Sequence, residues 1–378
     1  MKKRAGVVGG SAGRSKRREI AAPMVFPPVS DEILVQIMIR LPVKSLLRFK
    51  CVCRAWRSLI SEPFFVEFHL QQQSLRDPRI LLLACAGDVG ELCLESLVDD
   101  AGRLDRKMSA VPVESILTPS CNGLILIHRD YSQCIYVFNV ATRKLLTLPD
   151  CSPALHVNLG LGYEFLAKKY KVVRLFYNRE GDAHLRCEIF TLGSGEWRFI
   201  GDVPYKLDVR GFPASVNGAL YWLTNSEYHL NKSEVIISFV LLEERFKVIP
   251  HPKFCSGENR RYMLLWEFRG DLYLQDSSGK PVMHLWVLKD PGEGIWVKNY
   301  TINLQRSGYA LHDIPYVKPV SICRNGRIYF SLFGRLFYYD PRTKTFEGVL
   351  LDLALCEILF PYVESLVPLG KETKVIAE

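Results

Sequence analysis

Residues 29–68 read VSDEILVQIMIRLPVKSLLRFKCVCRAWRSLISEPFFVEF, and the spacing of their apolar positions governs how the flanking sequence is read. Ile33, Leu34, Ile37, Met38 and Leu41 fall at offsets 0, 1, 4, 5 and 8, one face of an α-helix. Ser30 suits an N-cap, Asp31 and Glu32 put negative charge in the first turn, and Pro42 bars continuation. A second helical stretch carries Leu46, Phe49, Cys53, Trp56 and Ile60 at steps of 3, 4, 3 and 4. Leu47, Val52 and Leu59 widen that seam, while Lys44, Arg48, Lys50, Arg54 and Arg57 lie off it. The reading is two short amphipathic helices within residues 25–70. A segment of about forty residues does not easily enclose so wide an apolar face, so a docking partner is expected.

Upstream, residues 1–22 lack hydrophobic periodicity and are expected to be a disordered basic tail. The chain's net charge of +9 is concentrated there: Lys2, Lys3, Arg4, Arg14, Lys16, Arg17 and Arg18 against Glu19 leave only +3 for the rest. A body so close to neutral offers little electrostatic footprint for a phosphate backbone, which argues against a nucleic-acid partner. The two basic clusters fit either a bipartite nuclear-import signal or a solvated terminus. No run of about 18 apolar residues reads as a membrane span, and no apolar stretch follows the N-terminal charges as in a secretory signal. The expected location is nucleus, cytoplasm or both. Eleven cysteines without a CxxC or Cys/His cluster read as reduced thiols, and the sequons at Asn231 and Asn299 as idle.

Downstream, from Arg79, the periodicity is that of strands. The runs Ile135–Phe138, Cys187–Phe190, Ile236–Phe239, Met283–Trp286 and Leu336–Tyr339 each precede a polar turn, and their final aromatics are 52, 49, 47 and 53 residues apart. A second series, Asn122-Gly123, Asn217-Gly218, Arg269-Gly270 and Asn325-Gly326, marks hairpin turns. A period near 50 with about four strands per unit predicts a β-propeller over residues 79–372. About six blades fit, the last closed by strands near Ile80–Leu97 and Cys356–Val367; a β-sandwich or irregular barrel is the alternative.

The two halves together resemble the plant F-box proteins that carry a kelch-like F-box-associated interaction domain. The resemblance rests on Asp31-Glu32-Ile33-Leu34, the run Arg40–Lys50, Val52-Cys53-Arg54, Trp56–Ser61 and Phe64–Leu70 in the first half. In the second half it rests on Ser120–Leu124, Asn139–Thr142, Gly160–Tyr163, Tyr170–Val173, Gly195-Glu196-Trp197, Asn217–Leu223 and Glu364-Ser365-Leu366. It implies a small all-α F-box that docks on a Skp-type adaptor and through it a cullin, followed by an all-β domain that holds a target protein for ubiquitination. By position, Leu41, Pro42, Leu46, Leu47, Val52, Cys53 and Trp56 are the implied adaptor contacts, some of which would instead form the helical core. Val29-Ser30 stands where that family usually opens with Leu-Pro, which implies one smaller apolar contact.

The rival readings are a non-catalytic nuclear protein that binds a protein or nucleic acid through the basic tail, against which the near-neutral body argues, and, more remote, a propeller enzyme. The eight histidines show no paired metal-binding spacing, and no HExxH, GxSxG, P-loop or GxGxxG occurs. No catalytic residue, metal or cofactor is therefore expected. Target recognition is expected in the inter-strand connections Asn178–His184, Asn225–Ser233, Cys255–Arg261 and Ser307–Pro315, with the target itself unspecified.

Overall fold

The computed structural model describes residues 30–86, 89–96, 105–112, 115–129, 134–178, 184–205, 211–224, 235–252, 263–279, 281–307, 317–332, 335–348, 356–370 and 373–375. The basic tail and Val29 lie outside them.

Four helices come first: α1 (Asp31–Met38), α2 (Val43–Phe49), α3 (Arg54–Ser61) and α4 (Pro63–Ser74). Ser30 caps α1 as expected, its side chain accepting from the Ile33 amide. The second helical stretch is corrected: it is two helices, because the chain breaks at Lys50–Cys53 and restarts where the Cys53 Sγ accepts from the Trp56 amide at 3.4 Å. Pro63 explains the fourth helix. It forces Glu62 into extended backbone (ψ 137°), ending α3, and then occupies the first turn of α4, where a missing N–H is harmless.

Among the described residues the strands form six antiparallel sheets. The second to sixth each begin with consecutive strands: Ser115–Leu117, Leu124–Arg129, Ile135–Asn139 and Lys144–Thr147; Leu155–Glu164, Lys169–Tyr177, Arg186–Thr191 and Trp197–Asp202; Ala214–Val216, Ala219–Leu223, Val235–Val240 and Arg245–Pro250; Met263–Phe268, Asp271–Asp276, Val282–Asp290 and Ile295–Asn303; Lys318–Ile322, Ile328–Leu332, Arg335–Asp340 and Thr345–Gly348. The first sheet joins the two ends of the domain. Cys356–Tyr362 pairs antiparallel with Arg79–Ala86, Leu81 opposite Phe360, and Val89–Ser96 and Asp105–Pro112 complete it. Thr373–Val375 adds an outer strand to the second sheet.

Each sheet packs on the next. Leu81 and Tyr362 of the first meet Leu117 and Ile125 of the second, and Leu126 and Val137 of the second meet Leu161 and Val172 of the third. Leu175 and Cys187 meet Leu220 and Trp222, Tyr221 and Ile236 meet Leu272 and Leu288, and Met283 and Leu285 meet Phe330 and Phe337. Lys318–Ile322 then contacts Cys356–Tyr362, returning to the first sheet. Sheets that stack serially, largely through their first strands, make an all-β propeller rather than a two-sheet sandwich.

The fifty-residue repeat is the third strand of the second to sixth sheets: Phe138, Phe190, Phe239, Trp286 and Tyr339 all lie there and are all buried. The paired turns link first strands to second. Asn122-Gly123, Asn217-Gly218 and Arg269-Gly270 have both residues at positive φ, as a type I′ hairpin requires, and at Asn325-Gly326 only the glycine does. The third sheet turns instead through Phe165–Lys168, where Glu164 Oε1 accepts from the Ala167 amide at 3.1 Å, so the series skips it.

Gly123 and Gly326 separate two costs of substitution. Both have φ near +80°, but a Cβ at Gly123 would meet Ser365 Oγ and the Val363 carbonyl at 2.6 Å, whereas Gly326 faces open space. Gly326→Ala is expected to lose about 1–2 kcal/mol from backbone strain alone, and Gly123→Ala a further ~1–3 kcal/mol from overpacking, measured by chemical denaturation.

Candidate partner-docking face

The helical module builds a core from Met38, Ile39, Val43, Leu46, Ile60 and Phe65, closed by Leu366 from the far end of the chain. Outside it, apolar side chains are left in solvent. Ile33 (55% exposed) and Ile37 (50%) lie one turn apart on α1, Val52 (62%) follows α2, and Phe64 (47%) and Phe68 (53%) lie one turn apart on α4. Ile33 and Ile37 line a shallow groove with Glu32, Gln36, Arg40 and Leu41. So many exposed large apolar groups on one small module make it a candidate for docking, with the Ile33–Ile37 groove as its shown apolar surface.

The seven expected contact residues divide. Pro42, Val52 and Cys53 are exposed; Leu41, Leu47 and Trp56 are half-buried, Trp56 against Phe49 with ring centroids 5.2 Å apart. Leu46 takes the other role left open for these seven, that of helical core. It is fully buried in the helical core, so it holds the module together and offers no surface. Ile33 and Ile37 belong to the apolar face expected of α1, yet five of that helix's eight residues are apolar, more than one face can bury. Phe64 and Phe68 carried the same signal in their spacing of four.

The module is mounted on the rim formed by the hairpins between first and second and between third and fourth strands. Glu364, just past the closing strand, accepts from the Val43 amide at 3.0 Å through Oε2 and from Arg79 Nη1 at 2.6 Å through Oε1. It thereby caps α2 across 321 residues of sequence and ties that helix to the first strand of the sheet domain. Asn139 holds the same segment, its Nδ2 donating to the Ser365 and Val367 carbonyls at 3.1 and 3.0 Å. From the other direction α4 packs Val66 and Leu70 on the core between the second and third sheets, and Glu67 pairs with Lys168 at 2.9 Å. Asp77 accepts from Arg269 Nη2 and the Arg324 amide, anchoring the segment after α4 to the fifth and sixth sheets.

His69 lies inside the module. Its Nε2 is 2.9 Å from the Leu41 carbonyl, which makes that nitrogen the protonated one, and burial holds the ring's pKa below the ordinary 6.5 despite that hydrogen bond. His184 lies 3.7 Å from Asp202 at the surface, and His284 Nδ1 is 3.1 Å from Thr301 Oγ1. Among the described residues no group of three or more His, Cys, Asp or Glu could hold a metal ion, and no helix is long and apolar enough to cross a membrane.

The expected target-binding connections fall mainly on residues 179–183, 225–234, 253–262 and 308–316, outside the described residues. The strand ends that flank them, such as Tyr177 and Arg186 or Leu223 and Val235, point to the rim opposite the helical module, since strands alternate in direction.

Residues 29–67 match the model of the F-box domain, and residues 94–355 match that of the F-box associated beta propeller domain. The chain belongs to this F-box family. It is 28% identical to the F-box protein At3g07870 of Arabidopsis thaliana over 85% of this chain and 87% of that one. It is likewise 28% identical to the F-box/kelch-repeat protein At3g23880 of the same plant, over 83% and 96% of the two chains. Among solved structures, a streptogramin B lyase overlaps 73% of this chain and 84% of its own at 15% identity, with a TM-score of 0.37. Within the F-box, the unusual Ser30 does work of its own as the cap of α1.

Two variants test the mount. Glu364→Ala leaves Arg79 without its carboxylate and α2 without its cap, and is expected to lose roughly 2–4 kcal/mol, with faster amide exchange concentrated in α2. For His69, as pH falls below 6.5 the unfolded chain takes up a proton that the folded ring resists. Stability is thus full above that pH and declines beneath it, and His69→Gln is expected to flatten this part of a denaturation-midpoint profile.

Proposed function

We propose that the chain is the substrate-recognition subunit of a Skp/cullin/F-box ubiquitin ligase, docking on the Skp adaptor through its F-box and holding a target on its propeller. The observation that carries the reading is the set of large apolar side chains left exposed on the helical module, Ile33, Ile37, Val52, Phe64 and Phe68, of which Ile33 and Ile37 line one groove. In this role the chain needs no catalytic residue. It contributes proximity, raising the target's effective concentration near the ubiquitin-transfer site. Each of the six sheets is then one blade of a six-bladed ring, and the rim away from the F-box receives the target. A cytoplasmic or nuclear location, with the basic tail as an import signal, completes the proposal.

Exposed anchors, rather than the whole seam, should dominate adaptor binding. Co-expression with a Skp adaptor is expected to give co-purification of the wild type, and Val52→Asp or Ile37→Asp should weaken capture about tenfold or more, as loss of a hot spot of ~2 kcal/mol implies. Leu46→Ala is expected to act differently, lowering thermal stability by roughly 2–5 kcal/mol through a core cavity. Failure of the wild type to bind the adaptor would sink the proposal.

A further inference from the structure

At the F-box-bearing rim, the mouth of the ring encloses a cavity of about 500 Å³. All six sheets contribute to it, through Pro361, Asn122, Phe165, Ser215, Glu267 and Arg324 in turn, and Leu75 and Arg76 close one side from just past α4. Its walls therefore come from both modules. The volume lies within the range of small-molecule sites, which favour domain junctions.

The lining has a definite chemistry. Phe165 and Leu75 stand 58% and 57% exposed, and Tyr163 meets Phe165 edge-to-face at a centroid distance of 5.3 Å. Three arginines, Arg76, Arg269 and Arg324, line the same space. Arg269 is paired with Asp77 at 3.0 Å, and one nitrogen of Arg76 is taken by the Arg40 carbonyl at 2.6 Å. The Arg324 side chain has no partner among the described residues, although its own amide donates to Asp77. The carboxylate in the lining, Glu267, accepts from the Gly270 amide at 2.8 Å, and burial pushes its carboxyl pKa up. Cationic donors are thus in surplus beside half-solvated aromatic and aliphatic walls.

We propose that this cavity binds a small organic acid with a flat apolar body. The anionic group is held by the guanidinium groups of Arg324 and Arg76, as charge-assisted hydrogen bonds favour, and the body lies against Phe165 and Leu75. Because a bound acid touches both the sheet turns and the segment after α4, it stabilises the mount of the F-box. The inference stands on the cavity alone and does not depend on the ligase reading.

The test uses the full chain with 2-naphthoate as probe, 2-naphthamide and inorganic phosphate as controls, and ligand-observed NMR titration alongside thermal unfolding. Saturable binding of 2-naphthoate with a rise in unfolding temperature is expected, with 2-naphthamide weaker by about tenfold or more. Arg324→Gln, an exposed turn position, should weaken the acid by a similar factor. Ser215→Phe, which fills the cavity, should abolish binding while circular dichroism reports an unchanged fold. No saturable binding by the wild type, equal binding by Arg324→Gln or by a folded Ser215→Phe, or phosphate binding as tightly as 2-naphthoate each overturns the proposal.

Discussion

The Glu364 carboxylate is the point on which the two modules depend. One oxygen satisfies the first amide of α2 and the other meets Arg79 at the start of the sheet domain. A group so enclosed, with 7% of its side chain exposed, needs both donors, and each donor would be left wanting without it. Pro42 at the α2 N-cap cannot supply a capping side chain, so the cap has to be imported. Leu366, two residues on, then completes the core that α1, α2 and α3 leave open. The F-box is therefore not a bead on a linker. Its core contains a residue of the other domain.

That arrangement resolves a mismatch in the helical segment. Its apolar surface is larger than its own core can enclose, and the excess has two destinations. Leu46, Ile60 and Phe65 go inward to meet Leu366, Val66 and Leu70 go sideways onto the propeller, and Ile33, Ile37, Val52, Phe64 and Phe68 remain outside. With its position held from several directions by Asp77, Glu67 and Asn139, the outer face keeps a fixed orientation relative to the far rim.

Much of the architecture was legible from local chemistry. The propeller announced itself because buried third strands recur with the same aromatic ending, and because type I′ turns demand residues that tolerate positive φ. The Ser30 cap and the role of Pro42 as a boundary were equally local. What failed was whatever depends on distance or on a competing break. The seam from Leu46 to Ile60 keeps helical spacing straight through Lys50–Cys53, so periodicity could not show that the chain turns there. Leu46 and Val52 are alike in type and lie near one another, and only packing decides that one is core and the other surface. Glu364-Ser365-Leu366 was visible as part of a family pattern, but nothing in it told that a carboxylate would cap a helix 321 residues upstream.

The closing strand and the borrowed cap also set an order of events during synthesis. The F-box leaves the ribosome first, yet the residues that cap α2 and fill its core are made last, and at typical elongation rates of about 5–20 residues per second the gap is roughly 15 to 60 s. Until Glu364 and Leu366 arrive, the first sheet lacks its closing strand and the helical module its final core residue. A nascent or prematurely terminated chain is thus denied a finished helical module, so that the module is completed only in a chain whose sheet domain can also close.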